Sequence, residues 1–473
     1  MVGIVSYGGY VPFYRLSREQ IDRAWGQRGG IKGEKAIANY DEDSLTMAVA
    51  SGLDCLGGLD RDTVGGLFLA TTTSPYREKM LASTAALALD LPKGIRTADF
   101  TDSLRAGTAA LGAAIDTVKG GSAKSALVLA ADCRLGKPSG QYEQLLGDGA
   151  ASVLIGDSGV IATIVDSYST YNEILDVWRE KDDEFVRWWE DRFIMAYGYQ
   201  GSISETVSAL MKKAGLAPRD FAKVVLYAAH PRYHAALAKK LGFEPPQVQD
   251  PLITSVGNCG AAATLMMLAA ALDEAKPGEK LLVASYGDGC DAYILQVTDE
   301  ITRMKKRRGL KQYLESKAML PSYEKYLAIR QLVPMEQNPF AQTMFVTAPN
   351  VWRERKANIA FYGSICKKCG APQFPPQRIC TKCQAKDKFE DYRFAEKKGT
   401  LFSFTYNYFD TVPDAPLAYA LVNFEGGGRA FLEVTDRDIP KLELDMPVEM
   451  TFRRLHTPGA YHDYYWKCRP IRG

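Results

Sequence analysis

Nothing in this chain of 473 residues is apolar for long enough to cross a bilayer, since the longest such run, Ala261 to Leu272, falls well short of about 20 residues. A basic lead is missing too: Met1-Val-Gly-Ile-Val-Ser-Tyr reads as a first strand, not as a secretion signal, so cytoplasm is the expected compartment. Excess charge of either sign is also absent. A net charge of +2 provides little to steer nucleic acid or an acidic membrane surface, and neither is expected as a partner. Paired cysteines are lacking as well. The count of nine is odd, and four of them crowd toward the C-terminus, which suits a reducing compartment and one metal site better than a disulfide framework. What remains is ordinary for globular protein, 46% hydrophobic and 24% charged residues, in a length that holds two or three domains.

The stretch around which the chain is organised is Thr97-Ala-Asp-Phe-Thr-Asp-Ser-Leu-Arg-Ala-Gly-Thr-Ala-Ala-Leu111. Its alanines and glycine let neighbouring backbone approach closely, so the helix is expected in the middle of a large core. Asp102 or Ser103 reads most simply as its N-cap. The chemical alternative is a site at the helix start, where unpaired N–H groups stabilise negative charge. The pattern returns later: Ser255-Val-Gly-Asn-Cys-Gly leads into the small-residue helix 261–274, Lys276-Pro-Gly-Glu breaks it, and Leu281-Leu-Val-Ala-Ser-Tyr is an apolar strand. Superposing the copies pairs Ser103 with Asn258 and Leu104 with Cys259, which implies an internally duplicated α/β domain with two helix N-termini meeting at one centre. Asp41-Glu-Asp-Ser-Leu-Thr opens a helix with acids, as the helix dipole favours. Residues 168–216 place aromatics and charges at helical spacing, as in an inserted lid or a partner-facing helix. An apolar strand ends on His230, and strand ends are where α/β proteins gather ligands.

Beyond Thr302 the basic run Arg303-Met-Lys-Lys-Arg-Arg reads as a solvated linker, with helical stretches to about 332. Cys366-Lys-Lys-Cys369 and Cys380-Thr-Lys-Cys383 then supply four thiolates with the spacing of a structural zinc ribbon. A full set of thiolates leaves no open coordination position, so this zinc is a staple and not a catalyst. Short alternating strands from Gly399 onward form a small β-barrel of OB type. The expected domains are 1–160 and 161–300 as two half-domains, 301–358 as helical linker, 359–395 as zinc ribbon and 396–473 as barrel.

Several of these residues carry a family resemblance: Gly3-Ile-Val-Ser-Tyr-Gly-Gly-Tyr-Val-Pro, Arg105-Ala-Gly-Thr-Ala, Ala131-Asp132, Gly147-Asp-Gly-Ala-Ala, His230, Gly257-Asn258 and Ser285-Tyr-Gly-Asp-Gly. With them the first 300 or so residues resemble the thiolase superfamily, in particular its 3-hydroxy-3-methylglutaryl-CoA synthase branch. The remainder resembles the zinc-ribbon and OB-fold module that accompanies some thiolases and thiolase-like aldolases. The resemblance implies a duplicated, five-layered αβαβα fold, a homodimer or higher homo-oligomer, an acyl-CoA substrate whose coenzyme A arrives with it, and a thiolase as a further partner. It also exposes departures. Leu104 stands where the family has its acyl-accepting cysteine, and Thr72 where the synthase has a glutamate. Leucine cannot form a thioester. Aldol or retro-aldol chemistry next to the thioester survives that loss, with His230 and Asn258 stabilising the enolate and Tyr286, His230, Asp102 or Glu78 as the base. The alternatives are acyl transfer through Ser103 or Cys259, and a non-catalytic scaffold for a partner thiolase. By family position Lys239 and Lys240 are the candidates for the coenzyme A phosphates.

Overall fold

The computed structural model describes every residue except 28–29, 305–306, 337–345, 410–411, 457–460 and 473. It falls into two compact units, one formed by 1–38, 43–86 and 91–323, the other by 39–42, 87–90 and 324–473.

The first unit is built on strands β1 (Gly3–Tyr10), β2 (Val64–Ala70), β3 (Arg96–Phe100), β4 (Ser125–Asp132), β5 (Gly149–Gly156), β6 (Ala162–Tyr171), β7 (Lys223–Leu226), β8 (Lys280–Tyr286) and β9 (Gly289–Val297). They lie in the order β7-β8-β9-β6-β1-β5-β4-β2-β3. The duplication is visible in this order. In one half β2 is parallel to β4, and β4-β5-β1 continue antiparallel; in the other β7 is parallel to β8, and β8-β9-β6 continue antiparallel. The halves join where Gly3 and Ile4 of β1 face Thr163 and Ala162 of β6. Strand β4 is buried at every residue, which is why it reads as an unbroken apolar run and not as an alternation.

Helices follow the same repeat: α1 (Ser44–Leu56) and α2 (Ala106–Lys119) in the first half, α3 (Gly201–Ala214), α4 (Pro231–Lys240) and α5 (Ala263–Glu274) in the second. The small residues of α2 and α5 do what their size allows. A Cβ on Gly107 would stand 2.4 Å from the Ala261 carbonyl oxygen, so the two helix starts meet only because that side chain is missing. Tyr293 Oη on β9 donates to the Thr108 carbonyl at 2.9 Å, tying α2 to the opposite half. No helix among the described residues is long and apolar enough to cross a membrane.

Four local expectations change. Neither Asp102 nor Ser103 caps α2; the cap position is Arg105, without a side-chain hydrogen bond, and Asp102 is held at φ +70° in the turn before it. Helix α1 starts at Ser44 under an Asp43–Thr46 capping box, whereas Asp41 and Glu42 belong to the other unit. The segment 168–216 is not one helix, because β6 runs to Tyr171, a two-stranded ribbon pairs Val177–Trp178 with Arg187–Trp188, and only from Asp191 does the chain turn helical. In the basic run, Lys305 and Lys306 lie outside the described residues. Arg307 and Arg308 are docked and not solvated: the Arg307 guanidinium bonds the Gly57 carbonyl, and the Arg308 N–H donates to Asp54 Oδ1 at 3.0 Å.

The second unit contains a three-stranded sheet (Tyr362–Cys366, Pro372–Gln373, Phe389–Arg393) and a closed five-stranded barrel (Gly399–Asn407, Leu417–Phe424, Arg429–Val434, Pro447–His456, Asp463–Pro470). Its core also contains ions. Arg453 Nη1 lies 3.1 Å from Asp41 and 2.9 Å from Glu42, its Nη2 lies 2.6 Å from Asp436, and Lys467 Nζ lies 3.0 Å from Asp41. Burial raises the Asp41 carboxyl, but Lys467 and Arg453 outweigh it and hold the group down at about 2.

Candidate functional site

In the second unit the two Cys-x-x-Cys turns are copies of each other. The Cys366 N–H donates to the Ala371 carbonyl and the Cys380 N–H to the Ala385 carbonyl, while Gly370 and Gln384 return N–H bonds to Cys366 and Cys380. Gly370 (φ +68°) and Gln384 (φ +59°) take the left-handed conformation that closes each knuckle. The four Sγ atoms all lie within 4.8 Å of one another, with Cys366–Cys383 at 3.7 Å and Cys369–Cys380 at 3.5 Å. A tetrahedron with metal–sulfur bonds of about 2.3 Å has edges of roughly 3.8 Å, so this donor set fits a zinc held by thiolates alone.

The first unit has a cavity of about 840 Å³, a constriction of about 20 Å³ and a groove of about 330 Å³, which share walls in that order. Tyr142, Leu145, Met195 and Ala229 line both the cavity and the constriction; Leu104, Arg134, Asp176 and Val177 line both the constriction and the groove. No cysteine lines any of the three.

His230 lies at the wall of the large cavity. As N-cap of α4 it accepts the Arg232 N–H at Nδ1, 3.2 Å away, which leaves Nε2 as the protonated donor of a neutral ring. Burial lowers its pKa and Asp191 works against that, so the ring is neutral near pH 7. Asn258 and Tyr286 line the constriction instead. Both amide hydrogens of Asn258 are committed, to Tyr227 Oη at 2.9 Å and the Ala228 carbonyl at 3.0 Å, and the Tyr227 hydroxyl in turn donates to Asn258 Oδ1 at 3.3 Å. Burial first, then Asp176, pushes the Tyr286 phenol well above its ordinary value. A phenol so raised stays protonated near pH 7. Its hydroxyl has no partner of standard hydrogen-bond geometry and is coupled to Asp176, whose own carboxyl is raised, chiefly by burial.

The other candidates are dispersed. Ser103 lines the groove and donates to Asp288 Oδ2 at 2.9 Å, so a carboxylate does stand beside it. Asp102 is an exposed groove residue that accepts from Thr101 Oγ1. Glu78 is exposed on the loop after β2 and lines none of the three spaces. Cys259 is buried and absent from all three walls, and desolvation raises its pKa well above the ordinary thiol value, surroundings that suit a packing residue. Lys239 and Lys240 are exposed at the far end of α4 and do not line the cavity, whereas Lys32 and Arg232 do.

Sequence reasoning missed Asp132, Arg134, Asp176 and Tyr227 as working parts. Asp132 is fully buried and accepts from Thr71 Oγ1, Thr72 N and Oγ1, Thr73 Oγ1 and Ala261 N at 2.7–3.0 Å. It thereby fixes Thr72, which lines the groove, to the start of α5. The motif Ala131-Asp132 signalled this residue, but nothing in the sequence signalled Asp176, which lies in the 172–190 insertion.

Comparisons with known proteins agree with this architecture. Residues 211–297 match the family 3-oxoacyl-[acyl-carrier-protein] synthase III C terminal. Residues 353–390 match the ChsH2 rubredoxin-like zinc ribbon domain and residues 392–453 the ChsH2 C-terminal OB-fold domain. A crystal structure of HMG-CoA synthase complexed with CoA has a TM-score of 0.65 at 20% identity, covering 74% of this chain and 95% of that one. The 3-oxoacyl-(acyl carrier protein) synthase III of Pseudomonas aeruginosa PAO1 has a TM-score of 0.57 at 20% identity, covering 63% and 98%. Hydroxymethylglutaryl-CoA synthase of Methanopyrus kandleri is 31% identical over 342 residues, 70% of this chain and 97% of the relative. The Methanocaldococcus jannaschii synthase is 32% identical over 347 residues, 71% and 100%. With a duplicated thiolase-like fold, and such relatives covered over nearly their whole length, this chain belongs to the hydroxymethylglutaryl-CoA synthase family of the thiolase superfamily, joined to a ChsH2-type zinc ribbon and OB-fold.

Proposed function

We propose that this protein makes or breaks a carbon–carbon bond next to the thioester of an acyl-CoA by aldol-type chemistry, without carrying the acyl group itself. The observation that carries the reading is Leu104: an apolar side chain faces the constriction where the family keeps its acyl-accepting thiol, and no cysteine lines the surrounding spaces.

In this reading the acyl-CoA occupies the large cavity, its phosphates toward Lys32 and Arg232 and its thioester toward the constriction. The His230 Nε2–H, on a ring that stays neutral, donates to the thioester oxygen and stabilises the enolate. Asp176 takes the proton from the α-carbon; burial makes its carboxylate a stronger base than a solvated one. The enolate carbon attacks the partner's carbonyl carbon, and Tyr286 gives its proton to the resulting alkoxide. Proton transfer from Asp176 to Tyr286 restores both groups, and the reverse sequence cleaves the same bond. Cys366, Cys369, Cys380 and Cys383 would hold a zinc that contributes stability to the ribbon and nothing to these steps.

The test combines two readouts. The whole chain is incubated with acetyl-CoA or propionyl-CoA in D2O, and deuterium entry at the α-carbon is followed by NMR; the same samples go to intact-protein mass spectrometry. Exchange that is lost in His230→Ala, on a protein of unchanged mass, is the expected result. A stable acyl adduct overturns the reading. Such an adduct on Ser103 would establish acyl transfer, the second reading, which the Ser103–Asp288 hydrogen bond favours.

A further inference from the structure

Some deeply buried arginines in this protein have several carbonyl or carboxylate partners. Arg18 donates to the Gln144, Glu34 and Ile253 carbonyls, Arg453 pairs with Asp41, Glu42 and Asp436, and Arg437 binds Asp414. Arg134 is the contrast. Only 6% of it is exposed, yet its guanidinium makes no hydrogen bond and no ion pair with any described residue. The Asp176 carboxylate on the same two walls is the charge that faces it, with no hydrogen bond between them, so the guanidinium donors stay free for the anion of a ligand. The head of the side chain lines both the constriction and the groove. Its stem is fixed from behind: Gly260 sits at φ +54°, and a Cβ there would come within 2.8 Å of Arg134 Cδ and 2.1 Å of Asp132 Oδ2. Arg134 therefore stands on the walls of both spaces with its guanidinium donors unspent.

We infer that Arg134 is the receptor for the carboxylate of the second substrate, and that this substrate is a small keto acid entering through the groove. The charges of the groove choose among anions. Asp102, Glu173 and Asp288 are exposed at its rim, while Arg134 lies at the buried end and Arg179 is bonded to the Thr72 carbonyl. An acidic rim repels a phosphate dianion more than a single carboxylate. Arg134, Asp176 and Tyr286 line the same small space, so we take the carboxylate to lie one or two bonds from the carbonyl that reacts. This rests on the aldol reading above and names its acceptor. The acyl α-carbon loses its proton to Asp176 and bonds to the keto carbon, the keto oxygen gains the Tyr286 proton, and the product is a 3-hydroxyacyl-CoA bearing a free carboxylate. Cleavage runs the same balance backwards.

The experiment titrates the whole chain, saturated with CoA, against acetoacetate, 2-oxobutanoate, methyl acetoacetate and inorganic phosphate by isothermal calorimetry. Wild type, Arg134→Lys and Arg134→Gln are compared. Saturable binding of a keto acid is expected, with the neutral ester weaker by about 30-fold, as for a lost charge-assisted hydrogen bond. Arg134→Gln is expected to bind acid and ester alike, and Arg134→Lys to fall between. Equal binding of acid and ester by wild type, preference for phosphate, or keto-acid affinity unchanged in Arg134→Gln overturns the inference. If Arg134→Gln does not fold, the wild-type comparison of acid with ester decides alone. Deuterium exchange into acyl-CoA without keto acid tests the aldol reading separately, so either can fail while the other stands.

Discussion

Replacing Asp132 by asparagine probes the joint between the two halves of the site. The carboxylate has two oxygens with different donors: Oδ1 takes Thr71 Oγ1, Thr72 N and Thr73 Oγ1, and Oδ2 takes Thr72 Oγ1 and Ala261 N. Asparagine sits best with its carbonyl in the Oδ1 position, because a threonine hydroxyl can turn to accept from the new NH2 whereas the Ala261 N–H cannot. One charge-assisted bond is lost and one N–H is stranded, a cost of about 2 kcal/mol, placed at the start of α5. Alanine strands every donor and costs about 4 kcal/mol. Hydrogen–deuterium exchange of the peptide spanning 257–266 reads the effect where it arises, and about 2 kcal/mol is roughly a 30-fold faster exchange if the amide opens locally. Exchange there within about threefold of wild type in Asp132→Asn, together with unchanged thermal stability, would refute the argument that this carboxylate ties the threonine loop to α5.

Elemental analysis of purified protein is expected to find one zinc per chain, reduced in Cys380→Ser, with protease sensitivity of 362–393 rising on chelation; full metal content in that variant would contradict the ribbon assignment. The second unit is expected to lose stability in acid. Asp41, about 2 when folded against an ordinary 3.8, contributes about 2 kcal/mol above pH 4, and this fades as pH falls through 2. Denaturant titrations at pH 5 and pH 2.5 measure the loss, which should shrink in Asp41→Asn. Cys259 is expected to resist iodoacetamide at pH 8 until the protein is unfolded, and its labelling in native protein by peptide mapping would reopen its candidacy as a nucleophile.

Two parts of the molecule were legible because their determinants are local or periodic. The zinc knuckles depend on a spacing of cysteines with a glycine or a glutamine to turn each corner, and contacts farther along the chain are not needed to recognise them. The duplicated helix starts at 106 and 261 showed as small residues followed by a breaker and an apolar strand. Periodicity failed in the insertion 172–190, where aromatics and charges that look helical instead line a groove as irregular chain and a short ribbon. It failed again at Asp41 and Glu42, whose place before a helix suggested dipole stabilisation while their partners, Arg453 and Lys467, stand some 400 residues away in sequence.

The sequence by itself determined the family, the repeat and the ribbon, because each is written as residue identity at a position. Tertiary structure alone decided which side chains have partners. His230 and Asn258 look like a pair in the sequence, yet they line different spaces, and both amide hydrogens of Asn258 are spent on Tyr227 and Ala228. Arg134 looks like any other arginine until the fold sets it on the walls of two spaces without a hydrogen bond of its own. Partnership depends on what the whole chain brings within about 3 Å, and no local pattern carries that distance.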